Sequence, residues 1–168
     1  MRILGIDPGY AILGWGVIDY DNSKFNVIAF DSIITDKDTP MPNRLKQLYE
    51  GLNEIIEIYH PDEVAIEELY FNNNAKTAIM VGEARGICLL PAANFNIPIF
   101  EYTPLQIKQA LVGYGRAEKK QVQIMTKSML SLSKVPKPDD TADALACAIC
   151  HAHSRNVVKK QLKIRKGI

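Results

Sequence analysis

Two short apolar segments of this 168-residue chain each run directly into an acidic residue. Residues 3–6 precede Asp7, and residues 64–66 precede Glu67. Both segments have the composition of buried strands, and a carboxylate at the end of such a strand loses hydration unless it is paired or binds a cation. If the two strands are parallel neighbours, a strand spacing of about 4.8 Å brings Asp7 and Glu67 side by side.

The order of the other segments predicts the fold class. Five strand-like segments are separated by short turns or by segments with helical periodicity. The predicted strands cover residues 2–7, 14–20, 25–34, 63–69 and 97–102. The predicted helices cover residues 42–59, 74–90, 104–112, 118–132 and about 140–153. Strands first, then alternating strand and helix, predict an α/β chain with a mixed five-stranded sheet and helices on both faces.

A second pair of acids, Asp140 and Asp143, stands at the start of the last predicted helix. Residues three apart share a helical face, so both carboxylates point the same way. Asp is also a favoured residue at the N-cap and in the first helical turn, which would explain these two residues if they stood alone. The two strand-end acids also need partners, and this favours one shared site.

Four carboxylates drawn into one pocket repel one another, and divalent cations resolve the conflict. Oxygen ligands with open water positions suit Mg²⁺, for which Mn²⁺ can substitute. Two such ions about 3.5–4 Å apart activate a water and stabilise the leaving oxygen in phosphodiester hydrolysis. The sequence contains no phosphate-binding Gly-Lys-Ser/Thr loop and no Ser/His/Asp arrangement that competes with this interpretation.

Basic residues are concentrated in two places. Between residues 108 and 127 Glu118 is the only acid among five basic residues, which are Lys108, Arg116, Lys119, Lys120 and Lys127. This strip indicates a phosphate-binding edge, and a solvated charged helix is the alternative. The last ten residues hold five Lys or Arg and no acid. We therefore divide the chain into a domain at residues 1–155 and a basic tail at 156–168, which is either a phosphate-binding arm or a solvated end.

Three further features bear on location and assembly. The chain has no apolar stretch near the 18–20 residues of a membrane span and no signal-peptide pattern, so we expect a cytoplasmic protein with no membrane partner. The 74–90 segment has two apolar stripes, one to cover the sheet and one predicting a two-fold homodimer contact. Cys88, Cys147 and Cys150 fit buried small hydrophobes. The alternatives are a c-type haem at Cys147–His151, or a zinc site that adds His153.

The chain as a whole resembles the RuvC family of Holliday-junction resolvases over roughly residues 1–153. The matching motifs are ILGIDPG at 3–9, AIE at 65–67, GEARG at 82–86, YTP at 102–104, AEKKQV at 117–122 and DTADALA at 140–146. The resemblance implies a ribonuclease-H-like fold. It also implies a homodimeric, Mg²⁺-dependent endonuclease that nicks two opposed strands of four-way junction DNA.

The resemblance also implies roles for particular residues. The four acids Asp7, Glu67, Asp140 and Asp143 fall on the family's metal-binding carboxylates. Lys108 and Lys119 fall on its DNA-contacting positions, and Arg116 and Lys120 lie in the same strip. Tyr70 falls where the family often has Phe, in a loop proposed to stack on an unpaired base, and such stacking contributes about 1–3 kcal/mol.

Two extra acids depart from the family pattern. Glu68 follows Glu67, but strand alternation turns it to the other face, so Glu67 is the expected ligand. Asp139 precedes Asp140, but only Asp140 has the three-residue spacing to Asp143. Two other functions stay open, a related nuclease acting on RNA, hybrids or single strands, and a junction-binding protein without catalysis. A branch-migration motor is a possible partner.

Overall fold

A computed structural model describes residues 1–68 and 75–165, with side chains described for residues 1–68 and 79–155. The strands are β1 (Arg2–Asp7), β2 (Ile12–Asp21), β3 (Lys24–Ile34), β4 (Glu63–Glu67) and β5 (Ile99–Tyr102). The helices are α1 (Met41–Tyr59), α2 (Ala75–Asn94), α3 (Pro104–Val112), α4 (Lys119–Met129) and α5 (Asp139–Arg165). None of the helices in the described part of the chain is long and apolar enough to cross a membrane.

The five strands form one mixed sheet in the order β3-β2-β1-β4-β5. The first three strands are an antiparallel meander, whereas β4 pairs in parallel with β1 on one side and β5 on the other. Ile6 pairs with Ile66, so Asp7 and Glu67 follow at the same edge of the sheet. The predicted mixed five-stranded sheet is confirmed, and it has the ribonuclease-H-like topology that the resemblance implied.

Strand alternation assigns each side chain to one of two cores. Ile3 and Ala65 pack with α5, whereas Leu4 and Val64 pack in the core that contains α1 and α2. Helices therefore cover both faces, as predicted. Because alternate residues of a strand share a face, Asp7 and Glu67 lie on the same side as Ile3 and Ala65, which is the α5 side.

Glycines in the sheet allow α5 to lie unusually close to it. A Cβ added to Gly5 would lie 2.1 Å from the Ala144 carbonyl oxygen, and one added to Gly14 would lie 2.0 Å from the Asp140 carbonyl oxygen. Each glycine therefore faces helix backbone directly, where any side chain would push α5 away. This close packing brings the first turn of α5 down onto the ends of β1 and β4.

A buried polar network fixes the far half of α5 to the sheet. The Tyr102 hydroxyl lies 2.7 Å from His151 Nδ1, and His151 Nε2 lies 2.7 Å from Glu63 Oε2. The Arg155 guanidinium donates to both Glu63 oxygens at 2.7 and 2.9 Å. The network joins α5 to β4 and β5, and it sets the position of the helix along the sheet.

Three helix ends differ from the sequence prediction by three residues or more. α4 ends at Met129, where the prediction extended it to residue 132. α2 continues past Pro91 to Asn94, where the prediction ended it at residue 90. The backbone remains hydrogen-bonded beyond the proline, since the Phe95 N–H donates to the Pro91 carbonyl at 3.1 Å and the Ile97 N–H donates to the Ala92 carbonyl at 2.9 Å. α5 continues to Arg165 rather than residue 153, because residues 154–165 contain no Gly or Pro to end it. The predicted boundary between residues 155 and 156 thus falls inside α5, and the two-part division stays a prediction.

Candidate active site

Acids from three elements meet at the carboxyl ends of the parallel strands. Asp7 ends β1, Glu67 ends β4, and Asp140 and Asp143 belong to the first turns of α5. Gly14 pairs with Asp7 in the β1–β2 ladder. The backbone of Asp140 in α5 lies against Gly14, at the place where a Cβ would be. The structure therefore gathers at one edge of the sheet four acids that are far apart in the chain.

The carboxyl of Asp7 is strongly perturbed by this environment. Burial, followed by the negative charges of Glu67, Asp143 and Asp140, raises the pKa of Asp7 to about 8, although Lys119 opposes the shift. Burial is the main cause because a charged carboxylate loses more hydration than a neutral carboxyl. Without a bound cation, Asp7 is therefore largely protonated at neutral pH.

Glu67 and Asp143 respond in the same direction. Burial, followed by the charge of Asp143, raises the pKa of Glu67 to about 7, although Lys119 and Lys108 oppose the shift. Burial also raises the pKa of Asp143, despite the hydrogen bond that Lys119 donates to it. Raised pKa values on neighbouring carboxyls indicate that the positive charge near them does not balance their negative charge.

A cavity of about 260 Å³ opens beside these acids. Its polar lining combines Glu67 and Asp143 with two of the predicted DNA-contacting lysines, Lys108 and Lys119. The rest of the lining is apolar and comes from the helices α3, α4 and α5, namely Pro104, Ile107, Val122 and Ala146. The cavity thus brings two carboxyl groups and two ammonium groups to one opening, as binding and hydrolysis of a phosphodiester require.

Lys119 is the cation nearest to the acids. Its Nζ lies 2.8 Å from Asp143 Oδ2 and 3.7 Å from Asp139 Oδ2. The capping box of Glu118 and Gln121 begins α4 one residue earlier and so determines where Lys119 emerges. The ammonium group partly neutralises the acidic cluster at the point where a metal ion would approach Asp143.

The donor set has the right chemistry for a divalent metal but is not closed around one. Within residues 1–68 and 79–155, no three His, Cys, Asp or Glu side chains are arranged to hold a metal ion as they stand. A divalent cation would supply the positive charge that these carboxyls lack. The raised pKa values of Asp7 and Glu67 fit hard oxygen ligands that ionise when a metal binds.

The other residues named from the sequence do not line the cavity where the structure describes them. Arg116 and Lys120 are exposed and do not line the cavity. Tyr70 lies outside the described residues. Glu68 is exposed, in contrast to Glu67 in the cavity wall. Asp139 forms ion pairs with Lys119 and Lys137.

Several residues that shape the site were not predicted from the sequence. Gly5 and Gly14 set the height of α5 above the sheet. Gln123 is nearly buried on α4, and, besides Lys137 and Lys119, its side chain lowers the pKa of Asp139 at the start of α5. Its position one turn after Lys119 on α4 is a signal that could have identified it, since residues four apart share a helical face.

The cysteines fit the interpretation as buried hydrophobes. Cys147 and Cys150 are fully buried on α5, and Cys88 is buried on α2. His151 is also fully buried, and its two ring nitrogens lie at hydrogen-bonding distance from Tyr102 and Glu63. These contacts leave no open face for a haem or a zinc ion at this segment of α5.

Comparison with known proteins agrees with this geometry. The family model described as crossover junction endodeoxyribonuclease RuvC matches residues 3–151. The protein of that description from Alkaliphilus oremlandii is 60% identical over 156 residues, 93% of this chain and 95% of that protein. The Thermus thermophilus RuvC structure superposes with a TM-score of 0.85 at 34% identity, covering 94% of this chain and 97% of that one. T. thermophilus RuvC in complex with Holliday junction substrate gives 0.86 at 32% identity, covering 94% and 96%.

The mixed sheet, with acids at the ends of its parallel strands and α5 across them, defines a nuclease of the ribonuclease-H-like class. Matches over nearly the whole length of this chain and of its relatives narrow that class to one family. The chain belongs to the RuvC family of crossover junction endodeoxyribonucleases.

Proposed function

We propose that this protein resolves Holliday junctions by metal-dependent hydrolysis of phosphodiester bonds on two opposed strands. The observation that carries the proposal is the meeting of Asp7, Glu67 and the first turns of α5 beside a cavity rimmed by Lys108 and Lys119. Membership of the RuvC family supports the reaction class, and the related structure bound to Holliday junction substrate supports the DNA substrate.

We assign Asp7, Glu67, Asp140 and Asp143 as the ligands of Mg²⁺, with two ions per site and with Mn²⁺ as a substitute. Bound in this way, the metal supplies an activated water and charge stabilisation for the leaving oxygen. The chain's own part is to present the carboxylates in ionised form, to orient the phosphate with Lys108 and Lys119, and to exclude bulk water with the apolar cavity wall. Preorganised charge of this kind acts more strongly in a partly desolvated site than in water.

The basic strip extends the DNA contact beyond the cavity. Lys108 and Lys119 face the scissile phosphate, while the exposed Arg116 and Lys120 contact phosphates further along the strand. Tyr70 is proposed to stack on an unpaired base at the junction. Because phosphate contacts release counterions, we expect the affinity for DNA to fall steeply with salt concentration.

Cleavage of synthetic substrates tests the proposed function. Four-way junctions, linear duplexes and RNA–DNA hybrids of matched sequence are incubated with the protein in Mg²⁺, in Mn²⁺ and in excess EDTA. We expect paired nicks on opposed strands of the junction with either metal and no cleavage with EDTA. Cleavage of the hybrid in preference to the junction would favour the alternative nuclease, and tight junction binding without nicks would favour a non-catalytic role.

We also propose that the protein acts as a homodimer through α2. Its buried stripe of Ala84, Cys88 and Ala92 packs in the core shared with α1, whereas Ile79 and Leu90 are 65% and 46% exposed on another face. Gly82 and Gly86 are also exposed there, and a Cβ added to either would meet no atom within 4 Å. An apolar helical face that allows close backbone approach fits a two-fold contact, which would set two active sites against opposed strands.

Replacing Ile79 with arginine tests the dimer. We expect Ile79→Arg to shift the protein from dimer to monomer in light scattering at micromolar concentration, and to convert paired incision of a cruciform plasmid into single nicks. The physical reason is that an arginine cannot be desolvated at the centre of the contact without a partner. Ile58→Arg, at a similarly exposed isoleucine on α1, serves as the matched control and should leave the dimer intact. A wild-type monomer would contradict the proposal.

The cytoplasmic location and the branch-migration motor partner remain predictions from the sequence. Neither the proposed dimer contact on α2 nor the proposed metal site depends on these two predictions.

A further inference from the structure

Lys119 is shared by two acids with different surroundings. Its Nζ is 2.8 Å from Asp143 Oδ2 inside the site and 3.7 Å from Asp139 Oδ2 at its border. Lys137 occupies the other oxygen of Asp139, with its Nζ 2.5 Å from Oδ1. The two Asp139 oxygens are thus divided between two lysines, and Oδ2 remains directed at Lys119.

Metal binding and the Lys119–Asp143 ion pair involve the same carboxylate. An ammonium at hydrogen-bonding distance from Asp143 Oδ2 would repel a divalent cation that binds this carboxylate. We therefore expect Lys119 to move away from Asp143 when the metal binds. The Asp139 oxygen is the nearest anionic acceptor described, and a movement of about 1 Å brings Nζ within hydrogen-bonding distance of it.

We propose that Asp139 is a positioning residue that accepts the Lys119 ammonium from Asp143 when a divalent cation binds, and so keeps that lysine beside the scissile phosphate. The inference rests on the proposed function, because it takes Asp143 as a metal ligand. Asp139 itself is not a ligand in this scheme. It acts through Lys119, and Lys137 holds it in place from the opposite side.

A double-mutant cycle separates this role from a general effect of charge. Asp139 is close enough to attract a metal ion through space, and that attraction would be independent of Lys119. The proposed transfer of the Lys119 ammonium from Asp143 to Asp139 (the handover), by contrast, requires the lysine. The effect of removing the Asp139 charge should therefore shrink when Lys119 is absent, since residues that act through one ion-pair network are non-additive.

The experiment measures Mn²⁺ binding by calorimetry, without DNA, for the wild type, Asp139→Asn, Lys119→Met and the double variant. We expect Asp139→Asn to weaken Mn²⁺ binding about fivefold and Lys119→Met to strengthen it about threefold. In the Lys119→Met background, Asp139→Asn should change the affinity by less than about twofold. An equal loss in both backgrounds, or no loss in either, overturns the inference.

Two controls make the result specific. Asp31→Asn removes one exposed charge near the start of α5, where the Asp31 carbonyl accepts a hydrogen bond from Thr141, and it should leave Mn²⁺ binding within about twofold. Asp139→Glu keeps the acceptor and should restore binding, and Asp139→Ser provides a second neutral variant if the asparagine variant folds poorly.

The same titration distinguishes failure of this inference from failure of the proposed function. If Asp7→Asn loses Mn²⁺ binding while Asp139→Asn keeps the wild-type affinity, the assignment of the metal site stands. Only the transfer of Lys119 from Asp143 to Asp139 is then refuted. Wild-type Mn²⁺ binding in Asp7→Asn overturns the carboxylate site, and the handover with it.

Discussion

Replacing Asp7 with asparagine is expected to abolish cleavage while leaving junction binding intact. Asparagine keeps the size of the side chain but removes the negative charge that a metal requires, and metal ions contribute several kcal/mol of transition-state stabilisation. We expect the cleavage rate to fall by about 10³-fold or more, measured on a synthetic junction under single-turnover conditions. Junction affinity in Ca²⁺ should remain within about threefold, because the phosphate contacts come from basic residues.

The same substitution should make the metal-free protein more stable. Because the pKa of Asp7 is raised to about 8 in the folded protein, its ionisation opposes folding. The Asp7 carboxyl therefore costs no stability below its unfolded pKa, near 4, and its destabilising contribution grows as pH rises from there towards 8. In EDTA at pH 8 we expect Asp7→Asn to unfold at a temperature about 5–10 °C above the wild type, a gain of about 2–4 kcal/mol. The difference should disappear near pH 4.

Glu68→Gln is the matched control for Asp7→Asn. It removes an acid next to Glu67 that is exposed and does not line the cavity. We expect cleavage within about threefold of the wild type and no stabilisation at pH 8. Cleavage by Asp7→Asn at the wild-type rate, or loss of cleavage in Glu68→Gln, would contradict the assignment of the carboxylates.

The second large effect is expected from Gly14→Ala, a change that adds one methyl group. The new Cβ would lie 2.0 Å from the Asp140 carbonyl oxygen and 2.2 Å from its carbon, so the start of α5 must move. Backbone atoms cannot rotate aside as a side chain can. Since a misplacement of about 1 Å in a catalytic group can cost 10²-fold, we expect cleavage to fall by about that factor. The strain should also lower the free energy of unfolding by about 1–3 kcal/mol.

Gly51→Ala provides the comparison for Gly14→Ala. Its added Cβ would meet only the Cδ1 end of Ile33, at 2.6 Å, and that end can move. Cleavage should be unchanged there, and the higher helix propensity of alanine offsets part of any repacking cost. Full activity in Gly14→Ala, measured with junction cleavage and thermal unfolding side by side, would show that the position of α5 does not assemble the site.

Local sequence patterns were sufficient to predict most of the strands and helices and to identify the acids of the site. An apolar run that ends in Asp7 or Glu67 is visible within seven residues, and the three-residue spacing of Asp140 and Asp143 depends only on helical geometry. Alternation along β4 also separates Glu67 from Glu68 without knowledge of the neighbours. The helix ends at residues 90 and 153 were wrong because a local breaker, or the lack of one, competes with packing that is not local.

The sequence by itself determined which segments become strands and helices and which residues bring negative charge, because hydrophobic periodicity and side-chain chemistry are local properties. Only the tertiary structure decided that β1 and β4 are adjacent, that Gly14 admits the backbone of α5, and that Lys119 lies between Asp139 and Asp143. These arrangements join residues tens of positions apart, and their energies come from burial and charge in the assembled core. No short segment of the chain contains that information.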